Sequence, residues 1–256
     1  MKLPTFETLL LSAQDGIGRL TLNRPDKRNA MSQTMFEELG LAADAVRDEP
    51  GIKVLVITGA GGAFSAGIDL GSLDVLKDSD VNAFRVTVRR IQRNFRAFEL
   101  MEKPVIAMVD GYCLGAGTEL MLACDMILAS SRSVFGLLEV NLGLVTDLGA
   151  TQRLPRFVGI HRAKELILTG KKIDATEADR IGLINALYEP DDLEEETMRL
   201  AGQLASLPAV PVGLCKIAID RSRDGSMETG LEFEAQSQAL CFVELMEKMK
   251  QARSEA

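Results

Sequence analysis

The chain has 256 residues, with 29 Lys and Arg against 37 Asp and Glu, giving a formal net charge of −8. Hydrophobic residues make up 46% and charged residues 26%, which excludes a disordered or collagen-like chain, and a chain this long buries a full core without disulfide or metal staples. No apolar run approaches the roughly 18 residues of a membrane helix, Pro4 and Glu7 interrupt the start before any signal-peptide core forms, and the acidic balance argues against a broad nucleic-acid surface.

The first half alternates predicted strands and helices. Phe6 to Leu11 and Ile17 to Leu22 read as two strands around the turn Gln14-Asp15-Gly16. Ser32 reads as an N-cap, followed by Phe36, Leu39, Ala43 and Val46 at helical spacing. Lys53 to Thr58 is a short β-branched run stopped by glycines, as a buried strand requires. A long helix is predicted from about Asp80 to Met101, with Phe84, Val88, Ile91, Phe95 and Phe98 on one stripe. Pro104 to Val109 is another buried strand, Thr118 to Ala123 begins a helix, and Met126 to Ala129 and Val134-Phe135 read as short strands. From about Leu148 helices dominate, at Arg162–Leu168, Asp191–Leu204, Val212–Ile219 and Leu231–Met249. Near-continuous apolar strands between helices predict a mostly parallel sheet covered on both faces. A change of packing is expected near residue 200.

Cys113, Cys124, Cys215 and Cys241 have no C-x-x-C spacing and lie among apolar neighbours, so they read as reduced core residues of a cytoplasmic protein. The single histidine, His161, makes a His-rich metal site impossible and reads as a structural residue near a helix start. No metal site is expected, and acid–base work at neutral pH falls to carboxylates, Lys or Tyr.

Three segments could carry chemistry. Gly59 to Leu70 follows a buried strand but has Phe64 where a dinucleotide fingerprint needs its third glycine. It reads either as a plain glycine turn or as a loop whose small residues let backbone amides approach a ligand. Gly115-Ala116-Gly117-Thr118-Glu119 ends a strand and opens a helix, so its free amides suit an oxyanion. Glu119 in that first turn is also a plain partner for the helix dipole. In Phe135 to Asp147, Glu139 is one acid in an apolar stretch, where burial would raise its pKa. Asp147, which precedes a helical segment, reads as an N-cap or as a third acid.

Four motifs together resemble the crotonase (enoyl-CoA hydratase/isomerase) superfamily, over about Phe6 to Val243. They are Leu22-Asn23-Arg24-Pro25-Asp26-Lys27-Arg28-Asn29-Ala30, Phe64-Ser65-Ala66-Gly67-Ile68-Asp69-Leu70, Asp110 to Leu120, and Thr151-Gln152-Arg153-Leu154-Pro155. The resemblance implies an α/β fold, a crotonase-like spiral of ββα units with a helical C-terminal region. Residues 1–200 would form the spiral core with the acyl-CoA site, and 201–256 a helical oligomerisation region giving a homotrimer or homohexamer.

The same resemblance implies an acyl-CoA thioester whose carbonyl oxygen sits between the amides of Ala66 and Ala116. Glu119 would activate water and Glu139 would deliver a proton, hydrating a trans-2-enoyl-CoA. Asp147, eight residues after Glu139, resembles instead the dienoyl-CoA isomerase branch, where Glu139 and Asp147 would shuttle a proton. Arg24, Lys27 and Arg28 would meet the CoA phosphates, and Ala66, Ile68, Asp69 and Leu70 the rest of the CoA. Coenzyme A belongs to the substrate and no separate cofactor is implied. The C-terminal run Phe242 to Lys250 departs from the family's usual acidic-Gly-aromatic helix. Some relatives of this superfamily resemble RNA-binding proteins, a reading that the acidic charge opposes.

Overall fold

A computed structural model describes residues 3–71 and 80–254; residues 1–2 and 255–256, at the outer ends of the two expected regions, lie outside them. The elements run β1 (Leu9–Gln14), β2 (Ile17–Leu22), α1 (Gln33–Asp48), β3 (Val54–Gly59), α2 (Val81–Leu100), β4 (Val105–Val109), β5 (Tyr112–Leu114) and α3 (Ala116–Met121). They continue with β6 (Met126–Ser130), β7 (Val134–Gly136), α4 (Ala150–Val158), α5 (Ile160–Thr169), β8 (Lys172–Asp174), α6 (Ala175–Arg180), β9 (Ala186–Tyr188), α7 (Leu193–Ser206), α8 (Ala209–Arg221) and α9 (Met227–Ser254). Single 3-10 turns occupy Pro25–Lys27 and Glu139–Leu142.

Six strands form one sheet in the order β1-β2-β3-β4-β6-β9, and β5-β7-β8 form a second. In the large sheet only β1 and β2 pair antiparallel; the others pair parallel. The β1–β2 hairpin turns where Asp15 and Gly16 both take positive φ, the geometry a tight hairpin needs. The first strand therefore starts three residues later than the sequence pattern placed it, at Leu9.

Side-chain alternation explains why the central strands are apolar throughout. Leu55, Ile57, Val105, Ala107 and Val109 face a core shared with α1 and α2. Val54, Val56, Ile106 and Met108 face the other way, against Leu193, Ala201 and Ala205 of α7. Both sheet faces are thus covered, and an apolar residue gains at every position of β3 and β4. Ser32 caps α1 by accepting from the Met35 amide at 3.2 Å, and Asp80 caps α2 by accepting from Ala83 at 2.8 Å. On α2, Ile91, Phe95 and Phe98 are buried, but Phe84 is 42% exposed, so the apolar stripe leaves the core in the first turn.

Residue 200, near which a change of packing is expected, lies within α7, which buries Leu193, Thr197, Ala201 and Ala205. Helix α8 is anchored by Lys216, whose ammonium lies 2.7 Å from Asp125 and donates to the Phe98 and Lys103 carbonyls, each at 3.1 Å. Helix α9 packs on α8 and is otherwise largely exposed. Of the cysteines, Cys113 and Cys124 are buried as expected, with burial pushing both thiols far up in pKa. Cys215 is exposed and Cys241 half-buried, because both lie on these outer helices. No single helix among the described residues is long and apolar enough to cross a membrane.

Candidate active site

Two backbone segments meet at the junction of the sheets. Phe64 is fully buried and pins the loop after β3. Asn29, also fully buried, ties that loop down by donating to the Ala60 and Ala63 carbonyls at 2.8 and 2.7 Å. Ser65 then runs parallel to β5: its amide donates to the Tyr112 carbonyl at 2.8 Å, and the Leu114 amide donates to the Ser65 carbonyl at 2.9 Å. Just beyond that pair the two segments stay close, and a Cβ on Gly115 would lie 3.7 Å from Gly67 Cα. The approach is close, since a Cβ on Gly67 would lie 3.0 Å from the Leu114 carbonyl oxygen. Gly115 takes φ 50° and ψ −123°, a conformation costly for any residue with a Cβ.

Accounting for the amides of this loop corrects one expectation. The Ala66 amide donates to the Arg28 carbonyl at 2.9 Å, so it is committed to the fold and not free for an oxyanion. Gly67 donates to Ser65 Oγ at 3.2 Å and Asp69 to the Met31 carbonyl at 2.9 Å. Among the described residues, neither the Ile68 amide nor the Ala116 amide has a hydrogen-bond partner. No local sequence signal marks this shift by two residues: in a regular strand amides two apart face the same side, and it is the positive φ of Gly67, 100°, that breaks the alternation between Ala66 and Ile68.

The carboxylates converge on residues 146–150. Glu119, only 1% exposed, accepts from the Leu148 and Ala150 amides on its Oε1 at 2.8 and 3.1 Å. Its bonds therefore go to another segment, not to its own helix. Burial pushes its pKa up to about 8, with the negative charges of Glu139 and Asp147 adding to the rise and the two amides opposing it. The buried acid of this site is thus Glu119; Glu139, in the 3-10 turn, is half-buried. Glu139 accepts from the Thr146 hydroxyl on Oε2 at 3.0 Å, and its Oε1 lies 3.0 Å from where a Gly115 Cβ would stand. Asp147 is half-buried, and burial followed by the Glu139 charge raises its pKa. It does not cap α4, whose N-cap is Gly149 with no side-chain bond.

The expected phosphate-facing cations are only partly free. Arg24 pairs with Asp69 at 2.8 Å and also donates to the Ala30 carbonyl, and this guanidinium holds the Asp69 carboxyl below the usual range. Arg24 and Asp69 thereby brace the loop that carries Ile68. Lys27 and Arg28 are exposed beside it, with Arg28 lying 5.6 Å from the Tyr112 ring centre. Leu70 is 53% exposed. His161 sits exposed in the first turn of α5. Sequence reasoning missed Thr146 and Gln92. The latter donates to the Asp147 carbonyl at 2.6 Å from across α2, a contact with no local sequence signal. Among the described residues, no His, Cys, Asp and Glu cluster could hold a metal ion.

Comparison with known proteins bears on the family of the whole chain. The family model described as enoyl-CoA hydratase/isomerase matches residues 12–253. The chain is 37% identical over 238 residues to a crotonyl-CoA hydratase of Syntrophomonas wolfei, covering 93% of this chain and 90% of that one. It is 36% identical, with the same coverage, to a short-chain-enoyl-CoA hydratase of Clostridium acetobutylicum. A Thermobifida fusca structure described as an enoyl-CoA hydratase in complex with CoA superposes with a TM-score of 0.88 at 32% identity, covering 96% of this chain and 99% of that one. On the match of nearly the whole chain, it belongs to the enoyl-CoA hydratase/isomerase family.

Proposed function

We propose that this protein is an enoyl-CoA hydratase adding water across the 2,3 double bond of a short trans-2-enoyl-CoA. The observation that carries the reading is one loop, residues 146–150, bonded to both Glu119 and Glu139, while the Ile68 and Ala116 amides have no partner among the described residues. The thioester oxygen would accept from those two amides, which wait where negative charge develops as an enolate forms. Removing one such donor typically costs about 3 kcal/mol in transition-state stabilisation. Glu119 would take a proton from water as its oxygen bonds to C3, and Glu139 would give a proton to C2. Transfer of the first proton from Glu119 to Glu139 then restores both groups. A base with a pKa near the working pH balances ionised fraction against basicity, and burial puts Glu119 in that range.

Lys27 and Arg28, exposed beside the loop, supply positive charge for the CoA phosphates. The names of the Syntrophomonas and Clostridium relatives and the CoA bound in the Thermobifida structure support this substrate class. Assembly as a trimer or hexamer and a cytoplasmic setting belong to the same reading. Exposed Leu231, Leu240, Phe242, Val243, Leu245 and Met249 on α9 give such an assembly an apolar surface to bury.

Loss of the crotonyl-CoA enoyl absorbance on adding purified protein tests the reading, repeated with Glu119→Gln and Glu139→Gln. A wild-type protein inactive on short, medium and long enoyl-CoAs would reject it. One observation favours a second activity: Asp147 is half-buried, raised in pKa and not a helix cap. A Glu139–Asp147 proton shuttle would isomerise a 3,5-dienoyl-CoA, and turnover unaffected by Asp147→Asn would remove it.

A further inference from the structure

Arg153 belongs to the Thr151–Pro155 motif but touches none of the three acids, so the reaction just described leaves it without a task. It is 7% exposed, and burying a guanidinium is costly unless its partners are well placed. Its Nη1 donates to the Leu148 carbonyl at 3.1 Å, and its Nη2 pairs with Glu99 at 3.0 Å near the end of α2. Gly149 lies against the same guanidinium: a Cβ there would come within 2.1 Å of Nη1. The partners of Arg153 are thus an anchor on one side and the peptide of residues 148–149 on the other.

That peptide is the one whose neighbouring amides bind Glu119. Leu148 offers its carbonyl to Arg153 and its amide to Glu119 Oε1. Holding the 148–149 peptide by its carbonyl leaves only the φ and ψ of Leu148 on one side and of Gly149 on the other between it and the two amides, which narrows the directions those amides can take. Glu99 is itself held from a second side by Arg223, at 3.3 Å, in the turn between α8 and α9.

We infer that Arg153 is a positioning residue: anchored by Glu99, it fixes residues 148–150 so that their amides hold Glu119 Oε1 and leave its other oxygen to face the substrate water. The inference rests on the proposed hydration only for what Glu119 does, not for where it is held. A displacement of about 1 Å at a catalytic group can cost on the order of 10²-fold in rate.

Arg153→Gln, Arg153→Lys and Glu99→Gln test it, with two readouts. The first is kcat, KM and the pH profile of kcat/KM for crotonyl-CoA. The second is a carboxyl 13C titration of Glu119 in the substrate-free protein, assigned by comparison with Glu119→Gln. Arg153→Gln is expected to lower kcat by on the order of 10²-fold with KM changed less. Loosened amides stabilise the carboxylate less, so the acidic limb and the titration midpoint both move up, by about one pH unit. Arg153→Lys, which reaches one acceptor, is expected to recover part of both.

A purely structural Arg153 would lower thermal stability while leaving kcat within twofold and the Glu119 midpoint unmoved; that result overturns the inference, as does an Arg153→Lys protein no better than Arg153→Gln. If Arg153→Gln fails to fold, Glu99→Gln carries the same expectations at smaller size, and an unshifted midpoint there overturns them. A wild-type protein without hydratase activity would reject the hydration reading, and the carboxyl titration would still decide the role of Arg153.

Discussion

Replacing Glu119 by Gln should remove activity and stabilise the protein, and the second effect has a pH dependence that can be worked from the site. Glu119 is 1% exposed and its pKa is pushed from an ordinary 4.5 up to about 8, first by burial. The folded state therefore binds the Glu119 proton more tightly than the unfolded chain does. Stability from this group is fully present below pH 4.5 and is lost as pH rises towards 8. At pH 7 the unfolded carboxyl is ionised by about 2.5 pH units while the folded one is still mostly protonated, a penalty of about 3 kcal/mol at 1.36 kcal/mol per unit. Above pH 8 it levels off near 5 kcal/mol.

Gln carries no such penalty, and its side-chain oxygen can accept the same Leu148 and Ala150 amides. The Tm of Glu119→Gln should exceed that of wild type by a margin that widens from pH 5 to pH 9. At pH 7, with about 2–4 °C per kcal/mol for a chain of this size, the margin is roughly 6–12 °C. Scanning calorimetry at pH 5, 7 and 9 reads this, beside a crotonyl-CoA assay expected to fall by about 10² to 10⁴-fold as a general base is lost. A Tm margin that stays flat across these pH values, or narrows towards pH 9, would refute the claim that Glu119 is held in an environment hostile to its charge.

Gly115→Ala must hold φ near +50° and bring a Cβ within about 3.0 Å of Glu139 Oε1. It should lose at least tenfold in kcat and roughly 1–3 kcal/mol of stability, read by steady-state kinetics and urea unfolding; near-wild-type values would mean the turn relaxes freely. Asp147→Asn removes one of the negative charges that raise Glu119, so the acidic limb of kcat/KM should move down by up to about one pH unit. An upward move would contradict that sign. Lys216→Met leaves Asp125 without its cation. That carboxyl already sits at about 6 because burial outweighs the Lys216 pairing. The variant should be destabilised by roughly 3 kcal/mol at pH 8 and by less at pH 5, where Asp125 is protonated in both proteins, and denaturant melts at the two pH values compare them.

What the sequence discloses about this protein divides along the length scale of the interactions. Ser32, the β3 and β4 runs and the Phe95–Phe98 stripe were legible because each states a local preference: a cap, a two-sided strand, a helical period. The short strands β8 and β9 were not, because three-residue strands take their existence from the neighbour they pair with. The same division runs through the site. Ala116, Glu119, Glu139 and Asp147 could be singled out as residue types in a pattern, and the structure brings the three acids together on one loop.

Choosing between Ala66 and Ile68 needed the bond from Ala66 to the Arg28 carbonyl and the positive φ of Gly67, which breaks the strand's alternation between them. Arg24 illustrates the reverse case: its charge was visible, but its Asp69 partner 45 residues away was not, so a residue assigned to the phosphates turns out to brace the loop. Side chains and spacing name the groups able to act. The pairing of strands far apart in the chain decides which backbone amides are left over, and in the proposed hydration the leftover amides at Ile68 and Ala116 receive the thioester oxygen.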